Sequence, residues 1–299
     1  MAVEITEEFV WQNIPRRPRD SHKGTFGSVL AVAGSAFYRG AALLAAEGAL
    51  RTGAGIVTLA SVEPVVSAAA ARLPECCLCL CRAGAEGGIS PENVPLLRRQ
   101  KATVLLLGPG LGGTAQSAAR EAETQALVQQ LLPGFAGSAV LDADALNALA
   151  AGKYRGDLPA NTILTPHPGE AARLLGLTVP EVQADREGAA VSLAKKYHCV
   201  VVLKGHHTLV AAPDGTVWRN ETGNAGLAKG GSGDILAGLT AGLLAAGLKQ
   251  GRTPEDAAVC AVWLHGAAAD RCAKRRSMTA MLPGDLFEDL GCILGELGR

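Results

Sequence analysis

Short apolar runs, closed by glycine or ionisable motifs and followed by helical stretches, recur along this 299-residue chain and restrict its fold. GSVLAVAGS (27–35) reads as a fully apolar strand that breaks at Gly34, and GAALLAAEGALRTGAG (40–55) as a buried helix ending in glycines. IVTLAS (56–61) is the next strand. ATVLLLGPGLGG (102–113) is a strand running into a glycine–proline loop, with a polar helix to about Leu132 behind it. SAVLDADALNALA (138–150) reads as a strand whose end carries Asp142 and Asp144; NTILTPHPGEAARLLG (161–176) reads as strand, corner and helix. A long amphipathic helix over 180–197 leads into CVVVLKGHHTLVAAPDGTVW (199–218). That piece predicts a strand, a turn at Lys204–Gly205 and a hairpin tipped by Pro213–Asp214–Gly215. Such alternation predicts an α/β fold whose mostly parallel sheet is covered by helices on both faces.

The polar and glycine-rich motifs fall where the predicted strands end, and in open α/β sheets that edge is where ligands bind. The most informative stretch is NAGLAKGGSGDILAGLTAGLLAAG (224–247). Ile235, Leu236, Leu239 and Leu243 recur at helical spacing, so a core-facing helix follows Asp234. Gly230, Gly231 and Gly233 let backbone approach a ligand closely, and free N–H groups at a helix start favour an anion. An acid beside such an anion hole suits phosphoryl chemistry, in which the acid takes a hydroxyl proton while N–H groups hold phosphate. Ser232 and Asp234 would equally serve as helix caps, with the glycines forming a tight turn.

Charge and composition exclude several classes. Lys plus Arg (28) balances Asp plus Glu (28), so no global field draws the chain to nucleic acid or anionic lipid. The longest uncharged apolar run, Ile235 to Leu248, is broken by glycines and too short to span a bilayer. The acidic N-terminus, MAVEITEEFVWQ, has no basic segment leading an apolar one, which implies a cytoplasmic protein. CCLCLC (76–81) places cysteines too close together to pair and reads as a buried strand, consistent with reduced thiols. Residues 1–22 read as a helix-plus-arm, and no repeat, linker or composition break divides the chain. A single domain over 1–299 is expected.

Seven pieces, taken in order, resemble one family: HKGTFGSVLAVAGS, GAALLAAEGALRTGAG, LGPGLG, LDADALN, TPHPGE, LKGHHTLV and NAGLAKGGSGDILAG. They cover roughly residues 20–270 and are similar to the ADP/ATP-dependent NAD(P)H-hydrate dehydratases. The resemblance implies a ribokinase-like three-layer αβα sandwich in the stand-alone form, without the epimerase domain of fused relatives. It implies repair of hydrated NADH or NADPH: a phosphoryl group is placed on the ring hydroxyl, then phosphate leaves to restore the double bond. Mg²⁺, ADP or ATP as co-substrate and a homotetramer are implied with it.

By the same resemblance Asp234 is the base and also touches the hydrate, while Gly233 and its neighbouring N–H groups hold developing phosphate charge. The run Lys204, Gly205, His206, His207 and Thr208 resembles the segment that contacts the nucleotide. His167 is expected against the hydrate, and Glu170 near Mg²⁺ through water. Ala41, Gly110 and Gly112 are expected to shape the wall against the dinucleotide. Lys229, Asp142, Asp144 and Asn147 stay open between ligand contact and ordinary loop, cap or surface roles. Two other readings compete: a small-molecule kinase of the same fold, acting on a hydroxymethylpyrimidine or hydroxyethylthiazole, and a non-catalytic nucleotide binder.

Overall fold

The computed structural model describes residues 2–113, 117–152, 154 and 156–297. The first five strands are β1 (Val3–Glu4), β2 (Ser28–Val32), β3 (Ile56–Ser61), β4 (Cys77–Leu80) and β5 (Val104–Leu107). They are followed by β6 (Ser138–Leu141), β7 (Ile163–Leu164), β8 (Val200–Leu203), β9 (Leu209–Ala211) and β10 (Val217–Arg219). All lie in one sheet, in the order β1-β10-β9-β8-β7-β6-β5-β2-β3-β4. Pairing is parallel from β8 through β4, and antiparallel only where β9 meets β8 and β10. The mostly parallel sheet is as expected, and so is the hairpin.

The helices are α1 (Glu7–Asn13), α2 (Arg39–Arg51), α3 (Glu63–Arg72), α4 (Val94–Arg99), α5 (Ala118–Leu131) and α6 (Asp144–Ala150). After them come α7 (Pro168–Leu175), α8 (Val179–Ala184), α9 (Arg186–Tyr197), α10 (Ser232–Leu248), α11 (Pro254–Arg276) and α12 (Leu286–Leu297). They form two mutually packed sets on the sheet, one built around α2, α10 and α11 and the other running from α5 through α6 and α7 to α9. β2, β5, β6 and β8 are buried from end to end apart from Ser28, because helices cover both their faces.

Strand order creates the crevice. The chain runs β2, β3, β4 toward one side, returns to place β5 on the other flank of β2, and then adds β6, β7 and β8 outward. The loops after β2 and β5 therefore diverge at their carboxyl ends, and space opens between them.

Against this sheet α10 and α2 meet backbone to backbone. A Cβ at Gly238 would lie 2.1 Å from Ala45 O, and one at Gly242 2.5 Å from Ala49 O. These contacts advance together along both helices, so the two run in the same direction and both open toward the crevice. The glycines of this apolar helix are thus there for close approach.

Four expectations need correction. CCLCLC is an edge strand rather than a buried one: Cys76, Cys79 and Cys81 are covered, but Cys77, Leu78 and Leu80 face outward. Only β3 flanks it, so one side and one face lack cover. The helix over 180–197 is two helices, since Asp185 leaves helical backbone and its carboxylate accepts the Gly188 N–H (2.9 Å) to start α9. The strand over 138–150 stops at Leu141; Ala143 takes positive φ (47°) and α6 begins at Asp144. The first residues are not only a helix and an arm, because Val3–Glu4 adds a parallel edge strand beside β10.

Gly238→Ala is expected to lower the unfolding free energy by about 3 kcal/mol, since backbone on both sides prevents relaxation. Gly291→Ala, in α12 with nothing within 4 Å of its Cβ, is expected to raise it by about 0.5–1 kcal/mol. Urea unfolding of the two variants checks both signs.

Candidate active site

Two cavities open at the carboxyl edge of the sheet. The first, of about 960 Å³, lies over the divergence of β2 and β5 and is lined by Phe37, Tyr38, Ala41, Gly110, Asp144 and Asp234, among others. The second, of about 640 Å³, lies over β8 and the hairpin; its lining includes His167, Lys204–Thr208, Asn224, Leu227, Ser232, Gly233 and His265. They share no lining residue. They abut at the first turn of α10, where Ser232 and Gly233 face the second cavity and Asp234 the first.

The turn is built for this. Gly231 stands at the N-cap position in left-handed backbone (φ 101°), a conformation that side-chain-bearing residues rarely take. No side chain caps the helix; the Ser232 N–H donates to Lys229 O (3.3 Å), which leaves those of Gly233 and Asp234 for an anion. Neither Ser232 nor Asp234 acts as the cap. Ser232 Oγ instead lies 3.4 Å from His265 Nε2 of α11. The Asp234 carboxyl is pushed up to about 6, first by burial and then by Asp142, with Lys204 opposing.

Lys204, at the end of β8, is the cation of this edge. Its Nζ lies 2.7 Å from Asp142 Oδ1 and 3.9 Å from Glu170 Oε2. Burial opposes its charge, but Asp142, Glu170 and Asp234 outweigh it and hold the ammonium above its ordinary range. Thr165 Oγ also donates to Asp142 Oδ1 (2.7 Å), fixing that carboxylate from the neighbouring strand end. The strained Ala143 between Asp142 and Asp144 sends the two side chains apart: Asp142 to Lys204, Asp144 to the first cavity.

The expected residues divide between the cavities. Ala41, Gly110 and Asp234 line the first together, and a Cβ at Gly110 would fall 2.9 Å from that of Ala41. Gly112 is not on that wall. Its N–H donates to Asp144 Oδ2 (2.7 Å) and its carbonyl accepts from Thr124 Oγ1 (2.6 Å), so it positions Asp144. Lys204, Gly205, His206, His207, Thr208 and Gly233 line the second cavity as one group. His167 sits with them rather than with Ala41 and Gly110. Its Nδ1 accepts from Gly169 N–H (2.9 Å), capping α7, and that bond requires an unprotonated Nδ1. Burial, Lys204 and Arg173 likewise push the imidazole down to about 4.

Glu170 lines neither cavity. It completes the cap by accepting the His167 N–H (2.8 Å), and burial raises its carboxyl against the pull of Lys204. Among the described residues no group of three or more His, Cys, Asp and Glu is set to cage a metal. Lys229 is tied to the Thr279 (2.6 Å) and Met281 carbonyls. Sequence reasoning overlooked Phe37, Tyr38 and Arg39, although aromatic and basic residues between a strand end and a helix were a readable signal. Nothing in the apolar pattern of α11 marks His265.

A carboxyl whose folded-state pKa lies above its ordinary 3.8 binds its proton more tightly in the folded state. Stability from this group is therefore present below about pH 4 and lost as pH rises through about 6. Asp234→Asn is expected to raise the unfolding free energy by about 2–3 kcal/mol near pH 8 and to change it little near pH 4. Denaturant titrations at the two pH values test the sign.

The chain is similar to known proteins over nearly its whole length. Residues 29–291 match the sequence family described as NAD(P)H-hydrate dehydratase. The chain is 43% identical over 297 residues to the bifunctional NAD(P)H-hydrate repair enzyme of Moorella thermoacetica, covering 98% of this chain and 54% of that protein. It thus spans about half the length of the bifunctional relatives it matches. With the ADP-dependent (S)-NAD(P)H-hydrate dehydratase of Neisseria meningitidis it shares 42% identity over 90% of this chain and 86% of that one. The crystal structure of the ADP/ATP-dependent NAD(P)H-hydrate dehydratase from Bacillus subtilis, co-crystallised with ATP/Mg²⁺, superposes with a TM-score of 0.85 at 34% identity, over 99% of each chain. The sandwich is the ribokinase-like one expected from the sequence. By motif order, fold and full-length similarity, this chain belongs to the NAD(P)H-hydrate dehydratase family.

Proposed function

We propose that this chain dehydrates the S-epimer of NAD(P)H hydrate at the expense of ADP or ATP. The observation that carries the reading is the partition at α10: one helical turn presents an acid to the first cavity and phosphate-binding backbone to the second. The hydrated dinucleotide would occupy the first cavity and the nucleotide the second. Asp234 takes the proton from the ring hydroxyl, whose oxygen attacks the terminal phosphorus of the nucleotide. The bond to the bridging oxygen breaks, AMP or ADP departs, and the ring carries a phosphate ester. The ring nitrogen then pushes electrons toward the ester carbon, a ring proton is lost, and inorganic phosphate leaves with the C–O electron pair. Hydroxide is a poor leaving group and phosphate a good one, which is why the nucleotide is needed.

Lys204, whose Nζ would lie 3.4 Å from a Cβ at Gly233, and the N–H groups there would stabilise phosphate charge as it moves between the cavities. Asp142 and Glu170 supply hard oxygen donors of the kind that suit Mg²⁺, but both already hold protein partners. Neither lines either cavity, so an ion would be carried chiefly by the nucleotide phosphates, and Glu170 would bear on it only through water. When bound, that ion screens phosphate charge. The family likeness supports the rest of the reading: one domain, cytoplasmic, assembled as a homotetramer. No described helix is long and apolar enough to cross a membrane.

Recovery of the reduced-nicotinamide absorbance from NADH hydrate with Mg²⁺ and ADP or ATP tests the reaction. Asp234→Asn is expected to slow it by at least about a hundredfold while nucleotide affinity holds. In the parent protein kcat/KM is expected to fall about tenfold per pH unit below about 6, where Asp234 gains its proton. Phosphate appearing on a small alcohol, with no recovery of the band, would instead make the chain a kinase of this fold.

A further inference from the structure

The first cavity has cations that the chemistry at Asp234 does not use. Arg39 stands on one wall at the start of α2, its Nε donating to Ala36 O (3.0 Å). Arg173 also lines it, on α7, and its Nε donates to Asn147 Oδ1 (3.0 Å). Asn147 is in turn bonded to Asp144, one turn earlier on α6, and Asp144 accepts the Gly112 N–H. A hydrogen-bonded series therefore runs from the glycine loop after β5 to the Arg173 guanidinium. It uses Nε and so fixes the plane in which the terminal nitrogens lie. Among the described residues no carboxylate stands within ion-pair distance of Arg173 or Arg39. Holding a long exposed side chain in one orientation costs conformational entropy, and among the described residues only the longer-range pull of Glu170 offsets it.

What such a guanidinium fits is a planar pair of anionic oxygens, above all those of a phosphate. The other charged groups on the lining, Glu121, Asp144 and Asp234, would repel that anion. Arg39 and Arg173 are the cations that the described lining offers it, and Arg39 stands at the start of α2, which no side chain caps. We infer that Arg173, oriented by Asn147, binds a phosphate group of the dinucleotide in this cavity. The inference rests on the proposed occupant. Arg173 would anchor the ligand away from the reacting ring, and Asn147 would be a positioning residue acting through it.

Arg173 is exposed, so its replacement leaves the fold intact. The test combines titration with NAD⁺ and NADP⁺ and steady-state kinetics with the NADH and NADPH hydrates. Arg173→Ala should weaken dinucleotide binding and raise the hydrate KM by about ten- to a hundredfold, with less difference at high salt. The KM for ADP and kcat should stay within about threefold, as for a group that binds both ground and transition states. Asn147→Ala should give a smaller loss, and none on top of Arg173→Ala. Arg173→Lys, keeping the charge without the Nε bond, should fall between. Equal losses with both dinucleotides would place the guanidinium on the pyrophosphate; a loss confined to the NADP series would place it on the 2′-phosphate. Unchanged dinucleotide affinity in Arg173→Ala, with a parent protein that binds and turns over the hydrate, overturns this inference alone. A parent protein that binds no dinucleotide overturns the proposed function with it.

Discussion

One buried ammonium organises the working edge of this molecule. Lys204 leaves the end of β8 and meets carboxylates delivered by three other elements: Asp142 after β6, Glu170 on α7 and Asp234 on α10. Each acid is buried enough that its charge is costly without a cation nearby, and the cation is equally costly without the acids. The ionisation of Lys204, Glu170 and Asp234 is therefore interdependent. Removing the lysine leaves at least Asp142 stranded, whereas removing Asp234 relieves a like-charge contact. That asymmetry explains how a carboxyl poised near neutrality persists in a packed site.

The scaffold that brings these groups together is set by glycine as much as by apolar mass. Gly238 and Gly242 allow α10 to lie against α2 at backbone distance, and this contact fixes where α10 begins. A wider spacing would move the first turn away from the crevice between β2 and β5. The strained backbone at Ala143 works at shorter range, separating two neighbouring aspartates that would otherwise compete for Lys204. Geometry at both scales is bought with local conformations that other residues would resist.

Much of this was legible in the chain. Apolar runs buried on both faces announce parallel strands, and the seven motifs mark the edge at which their ligands would gather. What the chain hides is division of labour. Gly233 and Asp234 are neighbours in sequence, yet helical geometry turns them to different cavities, so a linear motif shows one site where the fold has two faces. Gly112 looks like a wall residue because its loop is glycine-rich, but its N–H holds Asp144. Asp185 looks like any helical surface acid until its carboxylate starts a new helix. The cysteine strand carries apolar residues on both faces, which does not disclose that it lies at an edge.

Because the two cavities share no lining residue, the boundary between them has a kinetic meaning under the proposed reaction. Under the proposed reaction, a spent nucleotide need not wait for the repaired dinucleotide, or the reverse, since neither blocks the other's exit. Product release is then unordered. Accumulated AMP or ADP would compete with fresh nucleotide in the second cavity while leaving the first one clear. Under that reading each product competes only in its own cavity: spent nucleotide against fresh nucleotide in the second, and intact cofactor against its hydrate in the first.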